Sequence, residues 1–145
     1  MIRLAAATIL LAAAALLSAE EQRAVEFGYV DVVVDSGAAP LAAYQVDFSA
    51  DAASAKIVGV EGGEHAAFSG APYFDPAAAG GERVVIAAFS TGKDLPSHRT
   101  RVARIHLQFL AGAKREFSAK LIAAGTVGGA RISATVVLHE QGDLK

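Results

Sequence analysis

The stretch TRVARIHLQFL, Thr100 to Leu110, alternates with a period of two residues. Ala103, Ile105, Leu107 and Phe109 fall on one side of an extended chain, and Arg104, His106 and Gln108 on the other. A helix would repeat its apolar residues with a period of about 3.6, so this stretch reads as a strand with one dry and one wet face.

The same period recurs on either side of it. Upstream, LAAYQVDFS places Tyr44, Val46 and Phe48 opposite Gln45 and Asp47, and AKIVGVE forms a further short run. ERVVIAAFST, Glu82 to Thr91, is almost continuously apolar, which predicts a central strand covered on both faces. In AVEFGYVDVVVD, Ala24 to Asp35, the parity changes: Val25, Phe27 and Tyr29 share one face, and Val30, Val32 and Val34 the other. A change beside Gly28 predicts a bulge in a strand that crosses between two sheets. Downstream, EFSAKLIAA and ARISATVVL complete the set, joined by GTVGG, whose glycines suit a hairpin turn. Short β runs with Gly and Pro punctuation and no amphipathic helical window predict an all-β, jelly-roll type sandwich of two antiparallel sheets.

Composition bounds the function. The 145 residues leave room for one domain behind a leader. Alanine supplies much of the 53% hydrophobic fraction and removes little surface from water, so the core must rest on Val, Ile, Leu and Phe. A formal net charge of −2 and a pI of about 6.1 offer no basic face for nucleic acid. The absence of cysteine excludes disulfides, thiol catalysis and Cys-ligated zinc.

The first residues predict export. Arg3 precedes the apolar run Leu4 to Leu17, and Ala19 offers a small cleavage residue before Glu20 and Glu21. The rival reading is an uncleaved membrane anchor, but the run is short of the ~20 residues a span needs. The expectation is a signal peptide over 1–19 and a mature domain over 20–145, with its core at about 25–138, located in the periplasm or outside the cell. Contact with a membrane would then arise only through an uncleaved leader.

The strand order resembles that of the cohesin domain, a relative of the cellulose-binding modules. The resemblance is carried by VDVVVDSG, AAYQVDFSAD, KIVGVEGG, VVIAAFST and VARIHLQFL, and covers about Val25 to Leu138. It implies a non-catalytic module that binds a protein partner, with a dockerin-like segment among the candidates. A carbohydrate-binding module is the alternative. The chain lacks Trp, and Tyr29 and Tyr44 sit at apolar strand positions where burial is expected, so a flat aromatic platform for crystalline sugar is not predicted.

The segment VEGGEHAAFSGAPYFDP, Val60 to Pro76, concentrates residues a sandwich core does not need. Glu61, Glu64, His65 and Asp75 form a candidate polar patch, with Tyr73 beside it; Phe68, Tyr73 and Phe74 are expected to pin the loop to the sheet, and Pro72 and Pro76 to stiffen it. These polar residues either solvate a loop or form a contact surface. His98, Arg99 and Arg101 in LPSHRTR form either an anion- or carboxylate-binding corner or a charged turn.

Other chemistry finds no support. Glu61-x-x-Glu64-His65 lacks the first histidine of an inverted zinc-peptidase motif, and Gly62 and Gly63 oppose the helix it needs. Asp31, Asp35, Asp47 and Asp51 match no calcium loop, and strand alternation places Asp31 and Asp47 outward in solvent. Ser36, Ser69 and Ser118 lie in no nucleophile elbow, and GTVGGA lacks a strand-to-helix context for phosphate binding. No metal, cofactor or catalytic role is expected.

Overall fold

The computed structural model describes residues 24–142. The leader and its cleavage point lie outside the described residues. Among the described residues there are seven strands: β1 (Val25–Asp35), β2 (Ala43–Ala50), β3 (Ala55–Gly62), β4 (Arg83–Phe89), β5 (Arg99–Leu110), β6 (Phe117–Gly125) and β7 (Thr135–Glu140). Two 3₁₀ turns, Ala66–Phe68 and Pro76–Ala78, lie in the loop between β3 and β4.

The strands form a four-stranded sheet ordered β3-β5-β1-β7 and a three-stranded sheet ordered β4-β2-β6, with all pairings antiparallel. Consecutive strands therefore alternate between the sheets, and every connection crosses the sandwich. GTVGG makes a local turn, with Gly129 at φ +82° and the Thr126 amide donating to the Ala130 carbonyl. Gly125 and Arg131 pair across it in one antiparallel bridge, as in a hairpin, but the pairing stops there because β7 belongs to the sheet opposite β6.

Period-two burial builds the core. Val30, Val32 and Val34 of β1 and Ile105, Leu107 and Phe109 of β5 meet Tyr44, Val46 and Phe48 of β2 and Val84 and Ile86 of β4. Each fully enclosed side chain of this size contributes roughly 1.5–3 kcal/mol through loss of apolar surface. The Phe117 ring links the layers at one end, 6.1 Å from the centroid of Phe48 and 6.0 Å from that of Phe109.

The expected bulge and crossing at Gly28 are corrected by the structure. β1 keeps an unbroken register against β5 from Val25 to Val32 and stays in one sheet. Even-numbered residues from Gly28 to Val34 face inward, while Phe27 and Tyr29 face out. The Phe109 ring takes the space a side chain at position 28 would need, with one carbon 3.2 Å from where its Cβ would stand. The irregularity lies instead on β5. Val32 pairs with Ala103 and Val33 with Arg101, which leaves Val102 as the extra residue. Val102 and Ala103 are both buried, and the Tyr44 hydroxyl donates across the sandwich to the Val102 carbonyl at 3.1 Å. Burial pushes the Tyr44 hydroxyl pKa up, keeping it a neutral donor.

β4 is likewise an edge strand and not a central one. Its inward residues Val84 and Ile86 are buried, whereas Val85 and Phe89 are exposed on the outer face. Continuous apolarity here marks an uncovered apolar face.

Candidate functional site

The outer face of β4-β2-β6 changes character along its strands. At one end, Arg83 makes a bidentate pair with Asp47, at 2.9 and 2.7 Å, and the hydroxyls of Ser49 and Ser118 lie 2.8 Å apart. The hydrogen bond from Arg83 is the main cause that holds the Asp47 carboxyl below its usual range. Toward the other end the face becomes apolar. Ala43 of β2 stands opposite Phe89 of β4, and Gln45 lies between Ala87 and Ala123. Ile122, the extra residue at the β2–β6 register shift, is also exposed.

Tyr73 extends this face beyond the edge. Its amide donates to the Ala87 carbonyl at 2.8 Å, and the Ala87 amide donates back at 3.0 Å. One residue of the β3–β4 loop thereby acts as a fourth strand, while its side chain remains 81% exposed. With Phe89, 78% exposed, it borders a concavity of about 580 Å³ lined by Ala43, Gln45, Ala87 and Ala123 and also by Gly129 and Arg131. Large exposed rings around a floor of small side chains can receive an apolar anchor from a partner.

The remaining residues singled out in the sequence do not gather on this face. Glu61 projects from β3 and receives a 2.9 Å hydrogen bond from His106, which holds its carboxyl pKa below the usual range. Glu64 accepts the Arg101 amide proton at 2.9 Å. His65 caps the first 3₁₀ turn, its Nδ1 accepting from the Ala67 amide at 3.1 Å, and its Nε2 stands 3.8 Å from Asp94. Asp75 caps the second turn by accepting from the Ala77 amide at 2.9 Å. His98 has φ +59°, and its backbone bonds to Gly37 and Ser36 close the base of the β4–β5 connection. Arg99 lies on the opposite sheet, 3.5 Å from His139.

The glycines of GGEH have a steric role. A Cβ on Gly62 would run into the backbone oxygens of Ser69 and Gly70, and one on Gly63 into the Arg101 carbonyl. The loop folds tightly against β3 and β5, and Phe68 is its main pin, with its ring edge-to-face on Tyr44 at 5.3 Å. Phe74 is half-buried against the core. Tyr73 pins the loop through its main chain, in contrast to the expected burial of its ring, because pairing with the β4 edge turns that ring outward.

Two further residues differ from expectation. Asp31 does face outward, but it is only 4% exposed because Arg104 covers it with two hydrogen bonds, at 2.7 and 2.9 Å. Tyr29 is half-buried on that same outer face, with the Arg104 guanidinium 3.7 Å above its ring. Sequence reasoning missed Val85, Phe89 and Ile122. The unbroken apolarity of VVIAAF carried the signal and is equally compatible with burial on both sides.

No protein-family model and no curated protein matches the sequence. Among solved structures, the chain is similar to the cohesin A2 chain of a crystallised complex with a dockerin, CaCohA2 with CaDoc0917. The match has a TM-score of 0.57 at 13% identity and covers 74% of this chain and 82% of the other. The alternating two-sheet arrangement and this correspondence together identify the fold as a cohesin-like β-sandwich.

Proposed function

We propose that this chain is an exported, non-catalytic binding module whose protein partner docks on the outer face of β4-β2-β6. The observation that carries the reading is the exposed pair Tyr73 and Phe89 around an alanine floor, at the edge of an otherwise well-packed sandwich. Burying those rings on association releases water from apolar surface, and exposed clusters of this kind mark interaction sites. The face presents aliphatic and aromatic groups at its centre and few groups that titrate or react, which suits recognition. The fold likeness to a cohesin crystallised with a dockerin supports a protein, and a dockerin-like segment is the first partner to test. A neutral glycan is less well served, because beyond Gln45, Thr126 and Arg131 its hydroxyls would meet alanine.

The test is differential capture. Immobilised wild type, Phe89→Asp and Phe27→Ser are each exposed to secreted and envelope proteins of the source. Phe27 is 68% exposed on the opposite sheet and serves as the control position. A partner retained by wild type and Phe27→Ser but lost with Phe89→Asp supports the reading. Capture by all three variants moves the site off this face, and binding on a glycan array without a protein partner replaces the protein reading. Mass spectrometry of the protein from an exporting host checks the N-terminus expected at Glu20.

A further inference from the structure

The outer face of the four-stranded sheet carries a second depression, polar where the first is apolar. It is a cleft of about 540 Å³ whose wall includes Arg99, Arg101, Arg104, His139, Glu64 and Asp31. Its composition follows from the β5 bulge. Arg101 and Arg104 are three residues apart and would lie on opposite faces of a regular strand. The extra residue Val102 turns inward with Ala103 and leaves both arginines outward, in line with Arg99. A bulge that re-aims side chains has here gathered three guanidiniums on one face.

Their charges are not equally committed. Arg104 is held by Asp31 in a bidentate pair, which neutralises both. Arg101 donates from Nη1 to the Gly62 carbonyl, a neutral acceptor. Among the described residues, neither Arg99 nor Arg101 has a carboxylate within ion-pair distance. Glu64 gives Oε1 to the Arg101 amide, and Oε2 has no hydrogen bond within the described residues. Val33 lies on the cleft floor opposite Val137 of β7.

We propose that this cleft binds the carboxylate of a hydroxylated sugar acid, as a single unit or within an acidic glycan. A guanidinium fork matches a planar carboxylate through two parallel N–H···O bonds, and Arg99 and Arg101 supply that recognition. Glu64 Oε2 accepts a hydroxyl of the same ligand, and Val33 receives the apolar face of its ring. The Glu64 carboxylate within the cleft disfavours a doubly charged phosphate. A peptide carboxylate would leave the Glu64 acceptor without a hydroxyl. This site lies on the opposite face of the sandwich from the proposed docking surface and does not depend on it.

The test is a titration of the full chain, followed by amide NMR, with trigalacturonate, its methyl ester, inorganic phosphate and a glutamate-rich hexapeptide. Trigalacturonate is expected to give saturable shifts at Arg99, Arg101, Val33 and His139, and the uncharged ester none. Arg99→Gln is expected to weaken binding roughly tenfold or more, the loss of a charged hydrogen bond, while the thermal midpoint stays unchanged. Arg99 is exposed and bonds no backbone group, so this variant tests the site even if Arg101→Gln, which loses the bond to Gly62, fails to fold. Equal binding of ester and acid, tighter binding of phosphate or the peptide, or an Arg99→Gln titration identical to wild type would each overturn the proposal.

Discussion

The two outer faces of this sandwich handle polar and apolar groups in opposite ways. On the four-stranded sheet, outward side chains near its centre are paired, Arg104 with Asp31 and His106 with Glu61, and among the described residues only the cleft at Arg99 and Arg101 keeps guanidiniums without a carboxylate. Its exposed apolar residues include Phe27 and Val58, which stand beside His106. On the three-stranded sheet, one ion pair and one hydroxyl pair occupy one end, and the rest is mostly apolar, alanine with Val85 and Ile122 around Gln45, bordered by exposed rings. A surface whose polar groups already have partners gains little from a new one, since association must first break those bonds. The apolar face has no such bonds to lose. Exposure alone does not locate a site; exposure without internal satisfaction does.

The largest expected effect tests whether the loop that places Tyr73 is held by the core. Phe68→Ala empties a site only 2% exposed, and the expected loss is ~3–5 kcal/mol in a urea titration, together with loss of partner capture. A variant that kept its stability would show that Tyr73 is positioned by its β4 pairing alone. Next, Asp31→Ala leaves Arg104 over the sheet without its carboxylate. A cost of about 2–3 kcal/mol is expected, because the hydrogen bonds lost are charged and the aspartate is enclosed. A cost near zero would mean that the polar face is held together much more weakly than its geometry implies.

Replacing Glu64 and His65 together removes a bond to the Arg101 amide and the cap of a 3₁₀ turn. About 1 kcal/mol of destabilisation is expected, with partner capture retained, which denaturation and pull-down on the same variant would check. Lost capture at full stability would instead restore these residues as a contact patch.

Acid unfolding reports on the polar end of the apolar face. The folded pKa of Asp47 lies below its ordinary value of 3.8, so its pair with Arg83 contributes stability above that value. The contribution disappears as pH falls below 3.8 and through the folded pKa. Arg83 is exposed and solvent screens the pair, so the amplitude should be small, and Arg83→Gln should flatten that part of the stability profile. The smallest stability change belongs to Tyr73→Ala and Phe89→Ala, each within ~0.5 kcal/mol of wild type because neither ring is buried. Their effect should appear in partner capture. A large loss of stability would make these rings structural and remove the main observation for the docking face.

Fold class was legible because period two is a local property. Val46 and Phe48 of β2 and Ile105, Leu107 and Phe109 of β5 declare their buried face within a few residues, and the core contains them as expected. The site was only partly legible. GGEH drew attention to its loop, but its glycines answer to backbone crowding by Ser69, Gly70 and Arg101, and its polar side chains to caps and a backbone bond. Tyr73 was identified, yet its role depends on pairing with Ala87, fourteen residues away. The bulge at Val102 left no sequence mark, because Val-Ala followed by alternation reads equally well with or without an extra residue.

The sequence by itself determined the all-β class, the strand segments and the inward side of most of them, since side-chain alternation and turn residues act over short stretches. Tertiary structure alone decided which strands became edges, which sheet each joined, and which outward residues stayed exposed. VVIAAF lies at an edge because β2 has β6 on its other side, and Asp31 is buried because Arg104 folds over it from the neighbouring strand. Those outcomes depend on partners distant in sequence, and every connection among the described strands passes from one sheet to the other.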